Sequence, residues 1–90
     1  MSALAEWFAG QPLDQRMEAA RRVAAIAHAD ALWRIGFSRG VADIFAAMQA
    51  GCRPRTIRTW RRRLRGVRID QPAALHWACP RRLHNRGETK

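Results

Sequence analysis

The sequence predicts an all-α domain: a long N-terminal helix packed on a helix-turn-helix, with a short C-terminal helix closing it. Three observations carry this expectation. Seventeen residues are Ala and few are β-branched, a composition that suits close helix packing rather than a sheet. Neither Gly nor Pro interrupts the chain from Leu13 to Ile35, so one long helix is expected there. The stretch 51–66, GCRPRTIRTWRRRLRG, reads as a turn followed by a short helix, opened by Pro54 and ended by Gly66. At 90 residues the chain has the length of one domain. We divide it into a lead-in segment (1–12), a helical helix-turn-helix domain (13–80) and a basic flexible tail (81–90).

In the lead-in, Trp7 and Phe8 are candidate packing residues, and Gly10-Gln11-Pro12 makes a break. On the long helix, Glu18–Arg22 and Asp30–Arg34 are i,i+4 pairs in the favourable order, each worth ~0.2–0.5 kcal/mol. Its second half turns apolar nearly all round and runs on into Leu32, Trp33, Ile35 and Phe37, which suggests burial under the later helices. Gly36 ends it. Ser38 is the expected N-cap of the first motif helix, with Arg39 in its first turn. Val41, Ile44, Phe45 and Met48, at i, i+3, i+4 and i+7, form that helix's apolar stripe.

Ala47, Gly51, Ile57 and Trp60 have the spacing of a helix-turn-helix. A small residue lets the two helices cross closely, Gly makes the turn, and two apolar residues seat the second helix on the first. Cys52 is then a small plug in the turn. In the second helix Ile57, Trp60 and Leu64 share one face, an apolar keel, while Arg55, Arg58, Thr59 and Arg62 come out on the other. After Gly66, Val67 and Ile69 alternate with Arg68, and Asp70 is placed to cap a last helix through Ala73, Ala74, Leu75 and Trp77 that Pro80 stops.

The formal net charge is +10, and it is unevenly placed. Residues 1–52 carry five Arg against five acids, whereas residues 53–90 carry twelve Arg and Lys against Asp70 and Glu88. The whole excess begins at the second motif helix. A guanidinium-lined helix with an apolar keel is shaped to lie on a polyanion. No signature of RNA binding accompanies it.

Other chemistries find little support. Seven scattered acids offer no paired carboxylates for acid–base catalysis, and the chain is not expected to be an enzyme or to take a small-molecule substrate. Cys52 and Cys79 do not make a disulfide framework. His76, Cys79 and His84 lack the paired ligand spacing of a zinc site, so no metal or cofactor is expected. The opening MSALAEWFAG is not a secretory signal and no apolar run is long enough for a membrane span, which places the expected protein in the cytoplasm without a membrane partner.

From about Ala19 to Arg82 the chain resembles the helical end-binding subdomain of Mu-type phage transposases. The likeness runs from the Ala/Arg-rich helix through GFSRGVADIFAAMQAGC and PRTIRTWRRRLRGV to a short helix ending in CPRR, with RTIRTWRRRLRG as its most specific part. The resemblance implies binding to DNA at transposon ends, with strand chemistry left to a separate acidic-triad domain. Besides DNA, the expected partner is that catalytic transposase domain or, by self-association, a second copy of the chain. One position departs from the family: Arg53 stands just before the helix-opening Pro, where Ser, Thr or Asp is usual. That forgoes a side-chain cap worth ~1 kcal/mol and sets a cation at the positive end of a helix dipole. A DNA phosphate nearby would relieve both.

The expected function is therefore sequence-specific binding of double-stranded DNA. The N-terminal part of a recognition helix enters the major groove, so Arg55, Arg58, Thr59 and Arg62 are the base-facing candidates. Ser38, Arg39, Arg53, Arg63, Arg65 and Arg68 are the phosphate-facing ones. Two other classes stand beside this one: a helical protein-interaction module, and a phage-type regulator whose basic face binds nucleic acid non-specifically.

Overall fold

The computed structural model describes residues 3–64 and 66–80. Met1, Ser2, Arg65 and residues 81–90 lie outside the described residues, and with them the phosphate contact assigned to Arg65, the basic tail, and His84. Among the described residues the fold is all-helical: α1 (Ala3–Ala9), α2 (Leu13–Arg34), α3 (Arg39–Ala50), α4 (Pro54–Leu64) and α5 (Pro72–Ala78).

Helix α2 is the spine. Its 22 residues span roughly 33 Å at 1.5 Å per residue. Helices α3, α4 and α5 all pack on it, and α1 packs on α5. The contacts are made of small residues. Ala25 and Ala29 of α2 meet Ala46 and Ala47 of α3, and the larger Ile26, Ile57, Trp60 and Leu64 fill the space between the three helices. Alanine faces let helix axes approach closely. A second, smaller cluster joins Ala19 to Ala78 and Cys79, with Trp7, Phe8 and Leu75 against it. The lead-in thus contains a helix of its own, and Phe8 stacks against His76 at 4.9 Å between ring centroids.

The junctions follow local chemistry. Helix α2 starts after Pro12, whose missing N–H is no loss at a helix start. It closes through Gly36 at φ 118, with the Phe37 N–H donating to the Leu32 carbonyl at 3.2 Å. Ser38 caps α3 as expected, its hydroxyl accepting from the Val41 N–H at 3.2 Å. Gly51, at φ 77, terminates α3 in the left-handed conformation, and the Cys52 N–H returns to the Ala47 carbonyl at 2.9 Å.

Four sequence expectations are corrected. The end of α2 is not buried: Trp33 and Phe37 are exposed, and Ile35 is 73% exposed. The core stops at Ala29. Trp33 continues the inward face but meets the Arg39 guanidinium, 4.2 Å from its ring centre, and Ile35 and Phe37 lie past the helix end. Asp30 pairs with Arg39 at 2.8 Å and lies 3.7 Å from Arg61, rather than bonding Arg34. Asp70 does not cap α5. Pro72 takes the first helical position, Gln71 becomes the N-cap, and the Asp70 carboxylate goes to Arg68 at 2.8 Å. Lastly, the large apolar stripe of α3 faces out. Ala42, Asp43, Ala46 and Ala47 are the buried residues, while Val41, Ile44, Phe45 and Met48 are exposed.

Candidate nucleic-acid interface

Helix α4 has two unlike sides. Ile57, Trp60 and Leu64 are buried as a keel against α2 and α3. Trp60 is flanked by two cations from α2, Arg21 at 5.3 Å and Arg22 at 5.2 Å from its ring centre. The same Arg21 donates to the Ala50 carbonyl at 2.7 Å, so one side chain ties the end of α3 to the middle of α4. This fixes the turn between the two motif helices from behind.

Three of the acids, Glu18, Asp30 and Asp43, are taken up by ion pairs. Glu18 takes Arg21 at 2.8 Å and Arg22 at 2.9 Å, and the Arg21 guanidinium, with Arg22 beside it, holds the Glu18 carboxyl below the usual carboxylate range. Asp30 takes Arg39. Asp43, 0% exposed, receives Arg61 through Nη2 at 2.8 Å on one oxygen and Nη1 at 3.5 Å on the other. A carboxylate this deep demands a paired cation. Arg61 is therefore a structural residue, although it opens the Arg run on α4.

Among the described residues the other side of α4 is basic and acid-free. Arg53, Arg55, Arg58, Arg62 and Arg63 are exposed, and none forms an ion pair with another described residue. Arg55 to Arg62 spans roughly 10 Å along the helix at 1.5 Å per residue. Thr59 is exposed among them, its hydroxyl donating to the Arg55 carbonyl at 3.0 Å, which leaves the methyl and an oxygen lone pair outward. All four base-facing candidates thus share one open face. At its start the Arg53 carbonyl accepts from Thr56 at 2.9 Å and Ile57 at 3.4 Å, in the position a capping residue holds.

The phosphate-facing candidates divide. Arg53 and Arg63 are open beside that face. Arg68 is exposed but shares its charge with Asp70. Ser38 keeps its hydroxyl proton for a further acceptor, since the bond to Val41 uses a lone pair. Arg39 is drawn back onto Trp33 and Asp30. Sequence reasoning missed the inward role of Arg61 and the clamp of Arg21 and Arg22 on Trp60. The one available signal was Asp43, a lone acid at helical spacing from Ala42, Ala46 and Ala47.

Among the described residues no three His, Cys, Asp or Glu side chains are grouped to hold a metal ion, and no helix is long and apolar enough to cross a membrane. Cys52 and Cys79 are not joined in a disulfide, and burial pushes the Cys52 thiol up from its ordinary value. Comparison of the chain with known protein families, with curated proteins and with solved structures gave no match.

Proposed function

We propose that this chain binds double-stranded DNA in a sequence-specific way through its helix-turn-helix, as the end-binding subdomain that it resembles in Mu-type transposases does, and that it performs no catalysis itself. The observation that supports this best is the outer face of α4. Arg55, Arg58, Arg62 and Arg63 stand on a short helix whose keel is locked into a helix-turn-helix, with Arg53 just before it, and none of the five pairs with an acid among the described residues. A helix of this length fits the ~12 Å major groove, and Arg is the residue best suited to paired contact with guanine. A cytoplasmic location and a catalytic transposase domain as partner belong to the same proposal.

The mechanism follows from the two-sided helix. The N-terminal residues Arg55, Arg58 and Thr59 reach base edges, with Arg62 behind them. Arg53 meets a phosphate at the α4 N-terminus, where the anion satisfies open N–H groups and offsets the dipole. Arg63 and Arg68 take phosphates where the helix leaves the groove. Selection from a random duplex library with the protein alone tests this, followed by titration of the selected site at several salt concentrations. Three phosphate-neutralising contacts, from Arg53, Arg63 and Arg68, at ~0.9 each give a log–log slope near −2.7. A flat salt response removes the electrostatic reading. Tight binding without any enriched sequence favours the non-specific cationic binder.

A further inference from the structure

Helix α3 presents its small face to the core and its large face to solvent. Val41, Ile44, Phe45 and Met48 are exposed, with Ile44 at 47% and Met48 at 71%, and Phe37 joins them edge-on to Phe45 at 5.8 Å. Together they expose roughly 500 Å² of apolar side chain, at the upper end of what an unpartnered monomer shows. We propose that this face pairs two copies of the chain about a two-fold axis.

Three features select a second copy over another occupant. The first is charge. A two-fold contact sets each patch against itself, so any charge in it meets its own sign. Among the described residues this patch holds none, and Arg39 at its edge is neutralised by Asp30 at 2.8 Å. An acidic partner would be drawn to the arginines of α4 instead. The second is shape. A shallow, open depression lies between α2 and α3, lined by Leu32, Phe37, Phe45 and Met48 with His28 and Gln49. Ile44 stands beside it and outside its wall, so knob and hole lie on one surface, as a self-complementary contact requires. The third is spacing and size. Val41, Ile44 and Met48 repeat as a helix-pairing seam, and the patch with its polar rim of His28 and Gln49 reaches the lower part of the ~600–1,000 Å² per partner of specific interfaces.

The pairing goes beyond the DNA proposal and stands without it. The α4 arginines are on a different helix, so a paired molecule keeps both basic faces open and would read a site in two halves. Sedimentation equilibrium of the chain without DNA tests it. The expected result is a closed monomer–dimer equilibrium that tightens as salt rises from about 50 to about 300 mM, because screening relieves repulsion between two +10 copies. DNA binding moves the opposite way with salt, so the two proposals fail separately. Ile44→Glu sets like charges across the axis and is expected to weaken the dimer at least tenfold, with an unchanged circular-dichroism melt at monomer concentration. Met48→Lys, at the more exposed site, repeats the test, and Arg58→Ala leaves the dimer intact. A parent that stays monomeric at several hundred micromolar, an open-ended series of oligomers, or undiminished dimers in both variants overturns the proposal.

Discussion

The Arg61–Asp43 pair separates two kinds of arginine within one run, and Arg61→Ala shows which kind a position holds. Asp43 is fully buried, and Arg61 supplies its one short guanidinium contact, 2.8 Å, with a second nitrogen at 3.5 Å. Removing the cation leaves a carboxylate with no other ion partner among the described residues, between α3 and α4. Breaking a fully buried pair costs ~3–5 kcal/mol, and because the Arg61 side chain is 26% exposed, water reaches part of the site. A loss of about 2–4 kcal/mol follows, or a fall in Tm of roughly 10–25 °C for a domain of this size. Arg62→Ala, one residue on and fully outward, is expected to stay within about 0.5 kcal/mol of the parent. Thermal and urea melts of both variants, with the double variant Asp43→Ala/Arg61→Met, complete the measurement. The double variant should recover most of the loss, since no unpaired charge remains. Equal melts for Arg61→Ala and Arg62→Ala, or a double variant as unstable as Arg61→Ala, would refute the reasoning.

Three further outcomes are expected. Trp60→Ala removes the largest residue of the keel and the ring between Arg21 and Arg22, so it should cost ~3–5 kcal/mol in a melt; a variant that melts normally but no longer binds DNA would put Trp60 on the outer face. Arg55→Ala should narrow the gap between selected and random duplex by ~1–3 kcal/mol, whereas Arg63→Ala should weaken both alike and reduce the salt slope by about one contact; the reverse pattern means that the helix docks the other way round. Glu18 has its carboxyl lowered by Arg21 and Arg22, so its stabilisation is present above the ordinary carboxylate pKa of about 4.3 and is lost as pH falls through the lower folded value. Glu18→Gln should therefore melt ~0.5–1 kcal/mol below the parent at pH 7, with the difference shrinking as pH falls through the lowered folded value; a difference that grows in acid would reverse the sign argued here.

Much of this fold was legible because its signals are local. The Leu13–Ile35 run foretells α2 to within one residue, the Ile57, Trp60 and Leu64 spacing foretells the keel, and Ser38 and Gly51 mark the ends of α3. The open arginine face of α4 follows from the keel by geometry alone. What escaped depends on partners distant in sequence. Hydropathy ranks Val41, Ile44, Phe45 and Met48 above alanine, yet close packing on α2 favours the Ala42, Ala46 and Ala47 side, and Asp43 follows that side inward to Arg61, 18 residues away. Arg39 was assigned outward because nothing near it in sequence announces Asp30 and Trp33. The helix in the lead-in depends on α5, some 65 residues on.

The alanine contact between α2 and α3 bears on which substitutions this chain can accumulate. At Ala29 and Ala46, both 0% exposed, a larger side chain has no room, and overpacking typically costs ~1–3 kcal/mol. The only smaller residue is glycine, which costs ~1 kcal/mol in a helix interior. The seam is therefore closed to change in both directions. Substitutions are easier on the outward surfaces, among them the arginine face of α4 and the apolar face of α3. Those surfaces can drift independently of each other, so relatives of this chain can change what they touch while the scaffold beneath stays the same.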